Sequence, residues 1–248
     1  MTNPFDALRA TPSPPPDSRI VAARSVSYWT QTPASVTGML GGYPQVSTID
    51  MRTSRAFIAK LRRLTPSASP SAALLPRGVD CGAGIGRVTL GVLSTACAVV
   101  DVVEPVAKFT ANITGGADFA ALRAAGRVGA VYNVGLAAWA PAPGVQYDLI
   151  WNQWCLGHLT DAELRAYLRR CTGALAPGGW IVVKENNSTQ ADGKDVFDEE
   201  DSAVTRTDQK FRTIFQEAGL RLVKTELQHG FPDELYPVRF YALKPKGI

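Results

Sequence analysis

The stretch Val79-Asp80-Cys81-Gly82-Ala83-Gly84-Ile85-Gly86-Arg87 constrains this chain more than any other. It reads as the end of a short buried strand running into a turn with glycine at every second position. The apolar run Val88-Thr89-Leu90 follows. Glycine has no Cβ, so the backbone can turn sharply and a ligand can approach it closely. A helix starting just after the turn directs free N–H groups at whatever sits there. The pattern is that of a nucleotide-type cofactor loop, and alone it does not say which cofactor.

Such a loop needs a parallel sheet around it, and the chain alternates strand and helix signals. Cys97–Val103 is a continuous β-branched run of the type buried on both faces of a parallel sheet. Gly129–Val134 reads as a third strand, reached through a Gly- and Ala-rich stretch, 114–126, that carries no assigned role. Tyr147–Trp151 reads as a fourth. Thr160-x-x-Glu163 is a capping-box signal, and Leu164, Tyr167, Leu168 and Cys171 follow at helical spacing. That helix is expected to close at Pro177-Gly178-Gly179, with Trp180–Val183 as the fifth strand. A last helix over Thr207–Ala218 stops at Gly219, and Leu220–Glu226 and Phe240–Leu243 form a terminal strand pair. The expected fold class is α/β: a doubly wound, Rossmann-like sheet with ligands at the carboxyl ends of its strands.

Upstream, residues 1–20 hold Pro4, Pro12 and Pro14-Pro15-Pro16 and are expected to be a disordered tail. From Ser25 the chain turns aromatic, with Tyr28-Trp29 and then Val36–Tyr43. A short helix near Val21–Thr30, a turn at Pro33 and a loop at Gly41-Gly42 are expected. Asp50 then precedes a helix carrying Phe57, Ile58, Leu61 and Leu64, and Thr65–Pro70 reads as a linker. Residues 21–248 are expected to make one domain, a helical cover over 21–64 and an α/β core over 78–248.

Composition sets the remaining bounds. At 46% hydrophobic residues the 248-residue chain can bury a full core. No apolar run approaches the roughly 18 residues that span a bilayer, and a secretory leader is not expected. The four cysteines are widely spaced with no Cys-x-x-Cys pair, which suggests reduced thiols in a cytoplasmic or nuclear protein and no metal site. Residues 1–77 carry nine Lys/Arg against three Asp/Glu, whereas residues 78–248 carry seventeen against nineteen. The basic excess thus lies away from the glycine loop, which weighs against a nucleic-acid partner.

Several residues could carry chemistry. Glu104 ends the second strand, where a carboxylate can accept both ribose hydroxyls of an adenosine cofactor. That position is shared by dinucleotide-binding and S-adenosylmethionine-binding folds. Arg87 is more discriminating, because its guanidinium can pair with a carboxylate, which S-adenosylmethionine carries on its methionine end. Trp151–Leu159 follows the fourth strand and is expected to line the same crevice, bringing Gln153, Trp154 and His158 to it. Asn186 ends the fifth strand, and the acidic run 192–201 either forms a solvated face or selects a cationic substrate.

Together these residues resemble the alpha-N-terminal (Xaa-Pro-Lys) protein methyltransferases, a family dependent on S-adenosylmethionine. The likeness covers residues 25–244. It rests on Tyr28-Trp29, Gly38–Tyr43, Asp80–Thr89, Gln153-Trp154, Gly157–Asp161, Leu168–Cys171, Asn186, Asp198, Asp201-Ser202 and Pro232–Tyr236. The resemblance implies a seven-stranded methyltransferase sheet and a cofactor site of Gly82, Gly84, Arg87, Glu104, Leu136, Ala137 and Gln153, with Trp29 and Met39 closing over it. It implies that Trp154 packs the proline at substrate position two and that Asn186 holds the first residue. Asp198 would lie near the substrate's cationic groups, Glu234 and Tyr236 would line the entry, and Asp201 and His158 would act as bases. Ala137 stands where the family has Gln, and Ala203 where it commonly has Ser. The implied partners are protein or peptide N-termini, met by a monomer without nucleic acid or membrane.

The chemistry suits these groups. Methyl transfer from a sulfonium is an in-line displacement that needs a neutral amine. An α-amine with a pKa of about 7.7–8.0 is deprotonated at pH 7 for about 1 kcal/mol, against about 5 kcal/mol for a lysine. A weak base therefore suffices, and positioning supplies much of the rate. A methyltransferase acting on a small-molecule amine or phenol is the alternative reading. A non-catalytic cofactor-binding protein and a dinucleotide oxidoreductase are the readings from other classes.

Overall fold

The computed structural model describes residues 14–65 and 74–247. The strands are β1 (Leu75–Cys81), β2 (Cys97–Val103), β3 (Val128–Tyr132), β4 (Tyr147–Gln153), β5 (Leu175–Asn186), β6 (Val196–Asp198), β7 (Ala203–Thr205), β8 (Leu220–Leu227) and β9 (Val238–Pro245). Seven of them form one sheet in the order β3-β2-β1-β4-β5-β9-β8. Pairing is parallel from β3 to β5, and β9 runs antiparallel between β5 and β8. The expected doubly wound, seven-stranded sheet is thus the observed one. In register, Cys81 pairs with Val103 on one side and Asn152 on the other, so the loops after β1, β2 and β4 leave the sheet at one level.

Side chains alternate across the strands, and each face of the sheet has its own helical layer. On one face, Ile150, Ile181 and Val183 pack against α7 (Asp161–Gly173) and α8 (Asp208–Glu217) through Leu164, Tyr167, Leu168, Phe211 and Phe215. On the other, Leu149, Trp151, Val182 and Phe240 meet α3 (Val46–Leu64) through Phe57, Ile58 and Leu61. A π-helical turn, Thr89–Leu93, runs into α4 (Ser94–Ala96) on that same face. Phe57 stacks on Phe240 with ring centroids 4.7 Å apart. The helix expected as part of a cover is therefore a full layer of the core. Thr160 and Glu163 close the capping box of α7 as expected.

Three local expectations are corrected. Asp50 lies inside α3, one turn from its start, rather than before it. The α7 helix ends at Gly173, and Pro177-Gly178-Gly179 falls within β5, where pairing with β4 jumps from Tyr147–Leu175 to Leu149–Trp180. Proline cannot donate to the ladder and glycine accommodates the bulge, so this segment interrupts the strand instead of ending the helix. Residues 14–20 are ordered: Pro16–Arg19 is a 3₁₀ turn in which Asp17 accepts from Asp161 N (2.9 Å) and Arg19 stacks 4.3 Å over Phe197. The rest of the expected tail, 1–13, and most of the linker lie outside the described residues. The acidic run 192–201 takes the first of its two expected readings at Asp192, Asp198, Glu199 and Glu200, which are exposed on and beside the β6–β7 hairpin.

The 114–126 stretch acquires a role. It completes α5 (Ala107–Gly115), makes a 3₁₀ turn at Ala117–Phe119 and continues into α6 (Ala120–Ala124). Phe119 is buried with Ile113, Val102 and Ala83. A methyl group on Gly86 would sit 2.5 Å from Phe119 Cζ, and Gly86 has φ +83°, so packing as well as conformation requires glycine there. Among the described residues no helix is long and apolar enough to cross a membrane. Replacing Phe119 with alanine is expected to lower unfolding stability by about 3–5 kcal/mol in chemical denaturation, because the cavity lies directly beneath the glycine loop.

Candidate active site

Strand order reverses between β1 and β4, and a cavity of about 640 Å³ opens over that point. This is within the range of small-ligand clefts, roughly 300–1,000 Å³. Its lining brings together Gly82, Gly84, Arg87, Glu104, Leu136, Ala137 and Gln153, together with Trp29 of α1 (Ala22–Gln31) and Met39 of α2 (Val36–Met39). Trp154, His158, Asn186, Asp201, Glu234 and Tyr236 line the same space. Of the sequence-predicted site residues, Asp198 alone is outside it. Asp198 is exposed and accepts from Glu200 N at 2.8 Å, although its charge helps raise the pKa of Asp201.

The glycine turn is shaped from both sides. Gly82 and Gly84 have φ +69° and +56°. A methyl on Gly82 would lie 2.3 Å from Cys155 Cβ, and one on Gly84 would lie 2.6 Å from Met39 Sδ. Glu104 receives Gly84 N on Oε2 (2.8 Å) and Val106 N on Oε1 (2.9 Å). Burial raises its pKa against those two bonds. Each oxygen keeps a lone pair for a hydroxyl. Arg170 of α7 binds the loop carrying Leu136 and Ala137 by three carbonyls, Leu136 (2.9 Å), Ala137 (2.8 Å) and Trp139 (3.0 Å). Ala137 needs no side chain for that loop to be fixed.

Arg87 was expected to wait for a ligand carboxylate. Instead its Nη1 is 2.6 Å from Oδ2 of Asp50, a fully buried residue of α3. Gln153 Nε2 donates to both Asp50 oxygens (2.9 and 3.0 Å), and Lys184 Nζ pairs with Oδ1. Burial alone would push the Asp50 carboxyl up, but Lys184 and Arg87 hold it below the usual carboxylate range. Burial draws the Lys184 ammonium down to about 8, with Asp50 opposing. Neither Asp50 nor Lys184 is among the sequence-predicted site residues. The available signal was spacing: Asp50 and Ser54 continue the apolar face of Phe57, Ile58 and Leu61, which places polar groups toward the core.

The loop after β4 is held rigidly. Trp154 has φ +54°, a left-handed conformation costly for a bulky residue, and donates its N–H to Lys184 O at 3.1 Å. Glu185 Oε1 accepts from Cys155 N (2.9 Å) and Leu156 N (2.8 Å), and burial pushes its pKa up to about 7. The buried Arg206 donates to Leu156 O (3.0 Å), Leu159 O and Asp161 (2.9 Å). These contacts fix where Trp154 and His158 stand.

Among the described residues, five buried side-chain polar atoms lack a partner, and three belong to this cavity: Trp154 Nε1, His158 Nδ1 and Asp201 Oδ1. Burial and the charges of Asp198 and Glu200 raise the Asp201 carboxyl to about 6. His158, expected as a base, has one ring nitrogen engaged in this structure. Trp29 Nε1 donates to His158 Nε2 at 3.0 Å, and an indole N–H can only donate. The lone pair is therefore occupied, the proton sits on Nδ1, and burial lowers the pKa to about 4. His158 and His229 are the only histidines, so the imidazole signals of the protein are readily assigned. A pH titration by NMR is expected to leave His158 neutral from pH 8 down to about 5, with protonation only as pH falls through about 4.

The model of the family described as AdoMet dependent proline di-methyltransferase matches residues 17–244. Alpha N-terminal protein methyltransferase 1 of Schizosaccharomyces pombe is 43% identical over 224 residues, 89% of this chain and 94% of that protein. N-terminal Xaa-Pro-Lys N-methyltransferase 1 of Mus musculus is 39% identical over 228 residues, 92% of this chain and 97% of that one. A solved SAM-dependent methyltransferase from Leishmania major matches with a TM-score of 0.76 and 36% identity, covering 90% of this chain and 82% of that chain. With the glycine turn, Glu104 and Arg87 all facing one cavity, the chain belongs to the AdoMet-dependent proline dimethyltransferase family and is an S-adenosylmethionine-dependent methyltransferase.

Proposed function

We propose that this enzyme methylates the N-terminal α-amine of proteins that begin Xaa-Pro-Lys or Xaa-Pro-Arg. The observation that carries the reading is the unpaired set Trp154 Nε1, His158 Nδ1 and Asp201 Oδ1 around one cavity. Buried polar atoms are rarely left without partners. Two donors and one acceptor complement a peptide N-terminus, which offers amine hydrogens and carbonyl oxygens. The names of the fission-yeast and mouse relatives support the same substrate class.

The residues present fit the methyl donor. Gly82 and Gly84 leave room at the turn, Glu104 has lone pairs for the ribose hydroxyls, and Arg87 and Gln153 stand where the methionine end belongs. Leu136 and Ala137 flank the adenine side, and Trp29 and Met39 cover the cavity and keep water out. Bound there, S-adenosylmethionine supplies an electrophilic methyl carbon on a sulfonium.

On the substrate side, Trp154 packs the proline at position two and Asn186 holds the first residue. Glu234 and Tyr236 stand at the mouth, and the exposed Asp198 contributes negative charge from outside the cavity. Asp201 accepts the ammonium proton. A carboxylate at about 6 facing an amine at about 7.7–8.0 leaves a gap of about two pKa units, a modest cost beside that of a lysine. His158 holds Trp29 and donates from Nδ1, so one group moves the proton and the other orients.

A Ser-Pro-Lys-Arg peptide with a free N-terminus is expected to gain mass in steps of one methyl, whereas the N-acetylated peptide is not. Equal modification of the two, or of neither, would overturn the reading. Asp201→Asn is expected to lower kcat by about 10²–10⁴-fold while leaving S-adenosylhomocysteine affinity unchanged, measured by initial rates and calorimetry.

A further inference from the structure

Arg87 and Gln153 line the cavity, yet each is oriented by a residue that does not. Arg87 Nη1 and Gln153 Nε2 both donate to Asp50, which is fully buried in α3. The other end of the Gln153 amide is set as well, because its Oε1 accepts from Trp151 Nε1 at 3.1 Å. Opposite Arg87, Lys184 Nζ pairs with Asp50 Oδ1 and donates to Ser54 Oγ (3.1 Å) and Gln228 Oε1 (3.0 Å). Three donors are used at once, which only an ammonium supplies. The buried Asp50 carboxylate therefore sits between two cations, and these three charges sum to one positive.

That imbalance is informative. Asp50 and Arg87 alone would cancel, and a guanidinium already neutralised attracts an incoming carboxylate weakly. The second cation restores the attraction. A cluster serving folding alone could be replaced by apolar groups at little cost. Here, instead, two of the three side chains bonded to Asp50 present their outer faces to the cavity.

We propose that Asp50 is a positioning residue of the methyl-donor site, holding Arg87 and Gln153 in the orientation that receives the donor's methionine end. Lys184 adds a second cation, so that Asp50 does not by itself cancel the charge Arg87 presents to the cavity. The inference rests on the reading that Arg87 and Gln153 hold that end of the donor. It adds that Asp50, which does not line the cavity, makes the helical layer α3 part of the cofactor site. Fixing a guanidinium beforehand removes the ordering cost from the binding step.

The test is the dissociation constant of S-adenosylhomocysteine, measured by calorimetry on the full chain. Asp50→Asn leaves two buried cations unbalanced and can unfold the protein, so Asp50→Asn/Lys184→Met, which removes both signs together, is measured beside it. The double variant is expected to remain folded by its melting curve and to bind on the order of tenfold more weakly. Its KM for the peptide is expected to stay within about twofold of the parent value. In an Arg87→Met/Gln153→Ala background, adding Asp50→Asn/Lys184→Met is expected to weaken binding by less than about twofold, because Asp50 acts through those two side chains. Parent-like binding by Asp50→Asn/Lys184→Met, with Arg87→Met binding poorly, would overturn the positioning role and leave the site reading intact. Parent-like binding by Arg87→Met/Gln153→Ala would overturn both.

Discussion

Strand β1 is hydrogen-bonded on both sides to parallel neighbours, and the order of the sheet runs away from it in opposite directions. Each helix leaving a strand must cross back over one face or the other, so the crossovers leave a gap above the carboxyl ends of β1 and β4, and α1 and α2 lie against it. Everything chemical in this protein gathers over that gap. The backbone there has little freedom: Cys155 lies against Gly82, Met39 against Gly84 and Phe119 against Gly86, so all three glycines turn where a side chain would collide. The loop is shaped as much by the protein packed around it as by any ligand within it.

Around this gap, the buried Glu185 and Arg206 and the half-buried Arg170 are each used to hold a loop. Glu185 uses its carboxylate on two backbone N–H groups of the loop that carries Trp154 and His158. Arg206 uses its guanidinium on two carbonyls of the same loop and on Asp161. Arg170 does the same for the loop at Leu136. A buried ion left unpaired costs several kcal/mol, so Glu185 and Arg206 tie their loop to a fixed geometry. The two helical segments that meet the cavity differ in how they are attached. The α3 layer is anchored by Phe57, Ile58 and Leu61, whereas α1 buries only Ser25 and is held mainly by polar contacts, among them Trp29 to His158, Val21 N to Ser202 and Lys108 to the carbonyls of Thr30 and Thr32.

Much of this was legible in one dimension. The glycine turn, the β-branched runs, the acid ending β2 and the polar-aromatic segment after β4 all follow short-range rules, in which spacing of two or of three to four residues reports which side faces the core. These features were enough to determine the sheet, its direction and the end at which ligands bind, and the family resemblance named the cofactor and a set of site residues of which all but Asp198 line one cavity. Tertiary structure decided the states and pairings. Asp50 and Lys184 are 134 residues apart, and nothing local says that one carboxylate will gather Arg87, Gln153 and Lys184. Nor does anything local say that Trp29, 129 residues away, donates to His158 Nε2. Asp198 and Asp201 look alike in an acidic run, yet a hairpin turns one to solvent and the other toward the cavity. Protonation and orientation depend on what lies across space in a medium of low dielectric, and only the folded chain sets that neighbourhood.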